Sequence, residues 1–469
     1  MNLKKIKTIH FTGVKGVGMT ALALCATDMG KKISGSDIPD VFPTSQILTK
    51  RKIKIKLGFS PAHLPKNCDL VIYTGAHGGG DNQEVQAALK RQIPVLSHAQ
   101  ALGFFSQGKQ TLAVAGVGGK SSTAAMLATV LATAGYPTGF AVGVGNIPCL
   151  GAPGRMPKNA RYFVVEADEY VTDPLHNLTP RFHYLNPYLA IITNLEHDHP
   201  DVYQNLEQIF ASFRKFINKA QMIIINLDNP HNRQFIKTID KPVTTYGFSP
   251  QADWRILKTY VAEQKQFISL QYQGLIWPNL ILSLPGEYNA LNAVAAVAGA
   301  HHLGISQPKI YQGLTKFTGS QRRFELIAKV KGISLYDDYA HHPTEIKALL
   351  KAAKVWLPSR RLIIIFQSHT YSRTKNLLQE FSQSFTQADI VLVNDIFASA
   401  RETDNLGLTG KSLTQSIKQF HPQTVYCPDK IATLAYLKDT MAKGDVIFTV
   451  GAGNNWLWHQ DIIKIIKQS

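Results

Sequence analysis

Three times along this chain a short β-rich run gives way to glycines and then to a helical pattern, and this device restricts the fold more than any other feature. The first copy is Ile6 to Thr12, then Gly13-Val14-Lys15-Gly16-Val17-Gly18, then Met19 to Met29. The second is Thr111 to Ala115, then Gly116-Val117-Gly118-Gly119-Lys120-Ser121, then Ser122 to Thr133. The third begins with Arg361 to Phe366 and continues through Ile390 to Asn394 and Val446 to Gly451. Buried strands alternating with amphipathic helices predict an α/β protein built on parallel sheets. A chain of 469 residues exceeds one compact core and suggests about three domains. Gln107 to Gln110 and Phe317 to Ser320 read as linkers, which places the domains at 1–108, 109–318 and 319–469.

The second glycine loop nearly matches the phosphate-binding pattern G-x-x-x-x-G-K-[ST], but Val114 stands where its first glycine belongs. What remains is a shorter loop, G-x-x-G-K-S, and its physics is intact. Glycines let backbone N–H groups turn toward phosphate oxygens, the helix start adds partial positive charge, and Lys120 adds a full one. Ser121 supplies a hydroxyl suited to magnesium. The plainer alternative is a glycine-rich turn carrying one exposed lysine. Two acidic clusters argue against it. Tyr162 to Val165 reads as a strand delivering Glu166-Ala167-Asp168-Glu169, and Leu189 to Thr193 as one delivering Asn194-Leu195-Glu196-His197-Asp198-His199. Ligand groups gather at the carboxyl ends of parallel strands, and magnesium prefers oxygen donors beside phosphates.

In the first glycine loop, Asp37 lies close to the ribose-reading distance of a dinucleotide fold, but the spacing is G-x-x-G-x-G rather than G-x-G-x-x-G. The net charge of +18 favours polyanionic partners. The basic residues are scattered, however, and the densest run, Lys50 to Lys56, alternates like a solvated edge strand and has no interleaved aromatic residues. Nucleic acid is therefore not an expected partner, and a nucleic-acid-binding ATPase remains only as a distant alternative. No apolar run approaches the ~18 residues that span a bilayer, and the start of the chain has no signal-peptide core. Cys25, Cys68, Cys149 and Cys427 are widely separated and read as buried thiols of a cytoplasmic protein. The adjacent His341-His342 pair has no further ligands at zinc spacing.

Together these segments resemble the Mur ligases, the ATP-dependent amide ligases that build the peptide stem of the bacterial cell wall, and the likeness runs motif by motif along nearly the whole chain. Gly116 to Ser122 is similar to the family's G-x-x-G-K-[TS]-[TS], with Val117-Gly118 replacing its usual Thr-His or Thr-Asn. The resemblance implies a Rossmann-like N-terminal domain, a central domain with a P-loop ATPase-like parallel sheet, and a Rossmann-like C-terminal domain. It implies ATP on Gly116, Gly118, Gly119, Lys120, Ser121, Ser122, Asn289, Asn292, Arg323 and Asp338. Magnesium would fall to Ser121, Glu166 and His199, the last within an N-x-x-x-D-H pattern. The uridine diphosphate of a sugar substrate would meet Gly13, Gly16, Gly18, Met19, Asp37 and Thr74. His369 and Arg373 would orient a carboxylate and an incoming amino acid, joining Lys120, Glu166, His199 and Arg323 as catalytic residues.

Within the family, Gly13 to Met19, Ser34 to Asp37 and Asp337 to Glu345 point to the branch that joins L-alanine to UDP-N-acetylmuramate. Glu166 to Tyr170 and Asn194 to His199 look more like the branch that attaches a recycled tripeptide to the same sugar nucleotide. Tyr288 replaces the histidine of the family's H-N-x-x-N motif, and Arg214-Lys215 occupy the region where many members carry a carbamylated lysine. The expected form is a monomer or homodimer without membrane insertion. Because the reacting groups come from different domains, the third is expected to close over ATP and substrate.

Overall fold

The computed structural model describes residues 1–196, 202–398, 402 and 404–468. By its contacts the chain divides into two compact units: Met1–Tyr260 with Phe267–Ser283 and Tyr288–Gln321, and Val261–Gln266 with Leu284–Glu287 and Arg322–Ser469. It is an α/β protein of three sheet-centred domains, two of them in the first unit.

The N-terminal sheet is wholly parallel, with strands in the order Lys54–Leu57, Lys32–Asp37, Thr8–Thr12, Leu70–Tyr73 and Val95–Ser97. Its strand order reverses beside Thr8–Thr12, so the Gly13 loop and Thr74 leave neighbouring strands at the crevice where open parallel sheets bind ligands. Glu84, fully buried, fastens this crevice. Its carboxylate accepts hydrogen bonds from Thr12 Oγ1 at 2.8 Å and from Ser36 Oγ, just before Gly13 and Asp37, and pairs with His10 and His63. Burial alone would raise the Glu84 pKa, but the His10 and Ser36 hydrogen bonds hold it down at about 2.

The central sheet has ten strands, and Gln110–Ala115 lies between Leu189–Ile192 and Tyr162–Glu166, parallel to both. Leu112, Ala113, Val114 and Ala115 are wholly buried, the run expected of a strand covered on both faces. The glycine loop therefore emerges between the two strands that carry the acidic clusters. The sheet's far edge is a meander, Trp254–Ala262, Lys265–Tyr272 and Leu275–Leu282. In the C-terminal sheet, Ile333–Asp338, Val446–Val450, Leu362–Phe366, Ile390–Val393 and Thr424–Tyr426 run parallel, and Glu325–Val330 is an antiparallel edge.

Two expectations need correction. Only Lys54–Leu57 of the lysine-rich run is a strand; Lys50 ends the helix Ser45–Lys50, and a turn at Lys52 (φ 56°) separates the two. Leu48, wholly buried on that helix, draws the first half of the run out of extended form. Cys149 is exposed, while Cys25, Cys68 and Cys427 are buried. Within the 319–469 segment the hairpin Glu325–Val330/Ile333–Asp338, which the strand–loop–helix pattern does not announce, comes before Leu362–Phe366, turning through Lys331 (φ 48°) and Gly332 (φ 83°) as two-residue hairpins require. No helix of the described residues is long and apolar enough to cross a membrane.

Candidate active site

Gly116 and Gly119 shape the shortened loop by necessity. At Gly116 (φ +127°) a Cβ would lie 2.2 Å from Thr193 Oγ1 and 2.8 Å from the Asn194 carbonyl oxygen. At Gly119 (φ +81°) it would lie 2.4 Å from Asn292 Oδ1. Asn194 fixes the loop from the adjacent strand end: its Oδ1 accepts the Gly118 N–H at 2.8 Å and its carbonyl accepts the Val117 N–H at 3.1 Å. The helix Lys120–Thr133 begins directly at Gly119, so the loop's N–H groups and a helix start share one small volume.

The three acids after Tyr162–Val165 take separate partners. Glu166 accepts a hydrogen bond from Ser121 Oγ at 2.9 Å and from the Gly143 N–H at 2.8 Å. Burial and the nearby Asp168 raise its pKa. Asp168 pairs with Arg181 at 3.3 Å, and although burial opposes ionisation, Arg181 and Lys120 hold its carboxyl below the usual range. Glu169 pairs with Lys120, Nζ to Oε2 at 3.0 Å, with both side chains at most a tenth exposed. Burial would lower the Lys120 pKa, but Glu169, Asp168 and Glu166 raise it, so the ammonium is fully charged. Tyr203 Oη donates to the Glu169 carbonyl at 2.6 Å and steadies the same strand end.

Asn289 and Asn292, on the helix Glu287–His302, come to this loop. Asn292 Oδ1 accepts from Thr123 Oγ1 at 3.2 Å and its Nδ2 donates to Asn289 Oδ1 at 3.5 Å. Ser122 sits half-buried one residue along the loop's helix. His199 lies outside the described residues. The oxygen donors Ser121 and Glu166, beside a charged lysine and a glycine cradle that a Cβ would fill, suit a magnesium–phosphate group.

At the N-terminal crevice Gly13 (φ +81°) meets Thr74, whose Cγ2 would be 2.4 Å from a Cβ there. Gly16 caps the helix Val17–Asp28, whose second residue is Gly18 and on which Met19 is buried. Asp37 turns its carboxylate into the loop itself, accepting the Lys15 N–H at 2.7 Å and the Ile38 N–H at 2.8 Å. Lys15 Nζ in turn is held by the Ile38 and Asp40 carbonyls at 2.7 and 2.9 Å.

In the second unit two adjacent arginines both lie over the Tyr339 ring, 5.2 and 5.3 Å from its centroid, but take different polar partners. Arg322 (φ 61°) turns inward, donating to Asp337 Oδ2 at 2.8 Å and to the Gly451 carbonyl at 2.7 Å. Arg323 lies over the Tyr339 ring, 5.3 Å from its centroid, and acts electrostatically on Asp338. Asp338 accepts the Phe324 and Ala340 N–H groups at 2.7 and 2.8 Å, and burial pushes its pKa up to about 6 against the pull of Arg323. His369 is held down to about 4 by burial and by Arg373, so its imidazole is neutral at pH 7. Its Nδ1 has no hydrogen-bond partner among the described residues. His341 pairs with Glu345 at 3.3 Å and interacts with both Arg373 and Arg323. Arg323, Asp338, His369 and Arg373 thus gather at one edge of this sheet, around His341 and Glu345. Among the described residues no group of three or more His, Cys, Asp or Glu side chains could hold a metal ion.

Sequence reasoning gave no role to Glu169, Asn194, His341 or Glu345, although all four stand in the motifs it quoted. The usable signal was position. Glu169, Asn194 and His341 lie just past the ends of parallel strands, and Glu345 caps the helix Pro343–Trp356 that follows one of them.

The raised Asp338 pKa makes a stability prediction. The folded state binds this proton more tightly than the unfolded chain, so stability falls as pH rises between about 4 and about 6. The unfolding free-energy gap between wild type and Asp338→Asn, from denaturant titrations, should therefore shift against wild type across that window, by on the order of 3 kcal/mol at most, and then level off. A gap that stays constant from pH 4 to 7 removes the claim.

Comparison with known proteins gives the class. Residues 8–110 match the model "Mur ligase family, catalytic domain", 114–300 the "Mur ligase middle domain", and 322–453 the "Mur ligase, glutamate ligase domain". The chain belongs to the Mur ligase family. It is 37% identical to the UDP-N-acetylmuramate–L-alanine ligase of Caldanaerobacter subterraneus, over 97% of this chain and 96% of that one. It is 35% identical to the enzyme of that name from Desulfitobacterium hafniense, covering 97% and 99%. The solved UDP-N-acetylmuramate-alanine ligase of Thermotoga maritima superposes with a TM-score of 0.83 at 25% identity, with 99% of each chain covered. A murein peptide ligase from Psychrobacter arcticus gives 0.71 at 25% identity, again covering 99% of each.

Proposed function

We propose that this protein is an ATP-dependent ligase that joins L-alanine to the lactyl carboxylate of UDP-N-acetylmuramate, in the synthesis of peptidoglycan precursors. The observation that carries the reading is the Lys120–Ser121–Glu166 constellation on a shortened phosphate loop, in a chain similar over its whole length to ligases of that name.

A carboxylate is a poor electrophile, so its oxygen first attacks the γ-phosphorus of ATP and ADP leaves. The amine of L-alanine then attacks the acyl phosphate carbon, and phosphate departs from a tetrahedral intermediate as the amine loses its proton. Lys120 and Arg323 offset charge on the transferring phosphoryl group. The loop N–H groups and Asn289–Asn292 seat the nucleotide, and Asp338 orients the Arg323 side. His369 and Arg373 orient the carboxylate and the incoming amino acid. Magnesium, held by Ser121, Glu166 and His199, would neutralise phosphate charge and fix its geometry. The +18 charge supports a basic cleft that steers two polyanionic substrates.

A second reading, ligation of L-Ala-γ-D-Glu-diaminopimelate to the same sugar nucleotide, is favoured by Glu166 to Tyr170 and by the likeness to the Psychrobacter enzyme. ADP release with ATP, UDP-N-acetylmuramate and either L-alanine or the tripeptide decides between them. Alanine should stimulate release at least about tenfold over the no-acceptor control and the tripeptide should not. The reverse pattern establishes the second reading, and stimulation by neither sinks both.

A further inference from the structure

Between the acids at 166–169 and the turn Arg181–Tyr184, the chain makes a small antiparallel hairpin, Val171–Asp173 with Asn177–Pro180. This arm reaches the N-terminal crevice twice. At its tip, Asp173 Oδ2 accepts the Gly80 N–H at 2.8 Å, and His176 stands between Asp173 and Asp81 at 3.3 and 3.1 Å. Gly75, next to Thr74, has no room for a side chain: a Cβ would lie 2.6 Å from the Thr172 carbonyl oxygen. At its base, Arg181 pairs with Asp168, hydrogen-bonds Tyr170 and stacks over that ring at 4.9 Å, and donates to His98 Nδ1. An arginine donor on Nδ1 places the ring proton on Nε2, which faces the backbone of Gly18: a Cβ there would be 2.8 Å away.

The chain of contacts therefore runs from Asp168, two residues past Glu166, through Arg181 and His98 to the last glycine of the first loop. Stability alone gives little reason for it. The Arg181–Asp168 pair is only partly buried, 18% and 20% exposed, and ion pairs open to water contribute little to stability, so the arrangement it fixes is the better account of it. An arginine fork that touches a carboxylate, a phenol and an imidazole at once fixes geometry that a lysine cannot.

We infer that the 168–181 arm positions the diphosphate of the sugar nucleotide, with Arg181 and His98 as positioning residues that set the Gly18 backbone while the tip holds the 75–81 loop. This rests on the proposed sugar-nucleotide site. The relay depends on a side chain that accepts from Arg181 and donates to Gly18. His98→Gln can do both, and His98→Leu can do neither.

Binding of UDP-N-acetylmuramate by calorimetry, without ATP, and steady-state KM values for all three substrates test the inference on the full-length protein. His98→Leu should weaken sugar-nucleotide binding and raise its KM by at least about tenfold, leave the L-alanine KM within about twofold, and recover most of the loss as His98→Gln. Should His98→Leu fail to fold, Arg181→Lys, which keeps the charge and loses the fork, should show the same selective rise. Unchanged binding, or equal rises in all three KM values, overturns the inference. Wild type failing to bind UDP-N-acetylmuramate removes the underlying function reading, and the arm's role with it; wild-type binding with insensitive variants removes only the arm's role.

Discussion

Lys120→Met should lower acceptor-dependent ADP formation by about a thousandfold or more, because the lost ammonium faces charge that grows during phosphoryl transfer in a water-poor site. The same substitution carries a second, separable cost. Lys120 and Glu169 are paired at 3.0 Å and are 10% and 5% exposed, so removing the cation takes this ion-pair partner from a buried carboxylate. Taking one partner from a buried pair is destabilising, and the variant should melt at a lower temperature. Inactivity alone would therefore be ambiguous.

The double variant Lys120→Met, Glu169→Gln resolves it. With the carboxylate charge removed together with the ammonium, it should recover most of the lost melting temperature and none of the activity. If activity returned with stability, Lys120 would be a structural counter-ion and its part in catalysis would be disproved. If Lys120→Met alone kept more than about a tenth of wild-type turnover, the phosphate-loop assignment itself would fail. Glu169→Gln by itself is the useful contrast. It frees Lys120 from its partner without removing the ammonium, so its effect on turnover should be far smaller than that of Lys120→Met.

What the sequence showed and what it hid divide along a physical line. Local patterns were readable: a buried β-run followed by glycines and a helix needs only neighbours in the chain, and all three instances fold as parallel strands leading to loops at carboxyl ends. The acids after Tyr162–Val165 were readable as a cluster for the same reason. Their division of labour was not, because the partners Ser121, Arg181 and Lys120 come from segments that only the sheet order brings near. The two arginines at 322–323 make the point most sharply. Identical in chemistry, adjacent in sequence and both over the Tyr339 ring, they take different acid partners, Asp337 and Asp338, through a left-handed backbone at Arg322 that no periodicity announces. The hairpins at 254–282 and 325–338 escaped a reading tuned to strand–loop–helix units, which assigns antiparallel strands no characteristic loop.

Gly116→Ala and Gly118→Ala, two residues apart in the same loop, should differ in kcat/KM for ATP by about a hundredfold or more, equivalent to about 2.7 kcal/mol of transition-state stabilisation. Gly116 has φ +127°, a conformation with strain on the order of 1–3 kcal/mol for any residue with a Cβ. Its Cβ would also lie 2.8 and 2.9 Å from the Asn194 backbone oxygen and nitrogen. Those atoms continue from the central strand Leu189–Ile192 and cannot retreat without disturbing the sheet. The loop must move instead, carrying with it the Val117 N–H that Asn194 holds. Gly118 has neither problem: its φ is ordinary for an L-residue, and a Cβ would meet only Asn194 Nδ2 at 3.4 Å and Oδ1 at 3.9 Å. That tolerance fits the histidine or asparagine usual at this position in the family. Gly118→Ala should accordingly stay within about threefold of wild type, and Gly118→Asn should retain function as well. Equal losses at 116 and 118 would show that the loop is set by flexibility rather than by the close approach of Asn194, and Asn194→Ala would then be without effect on the KM for ATP.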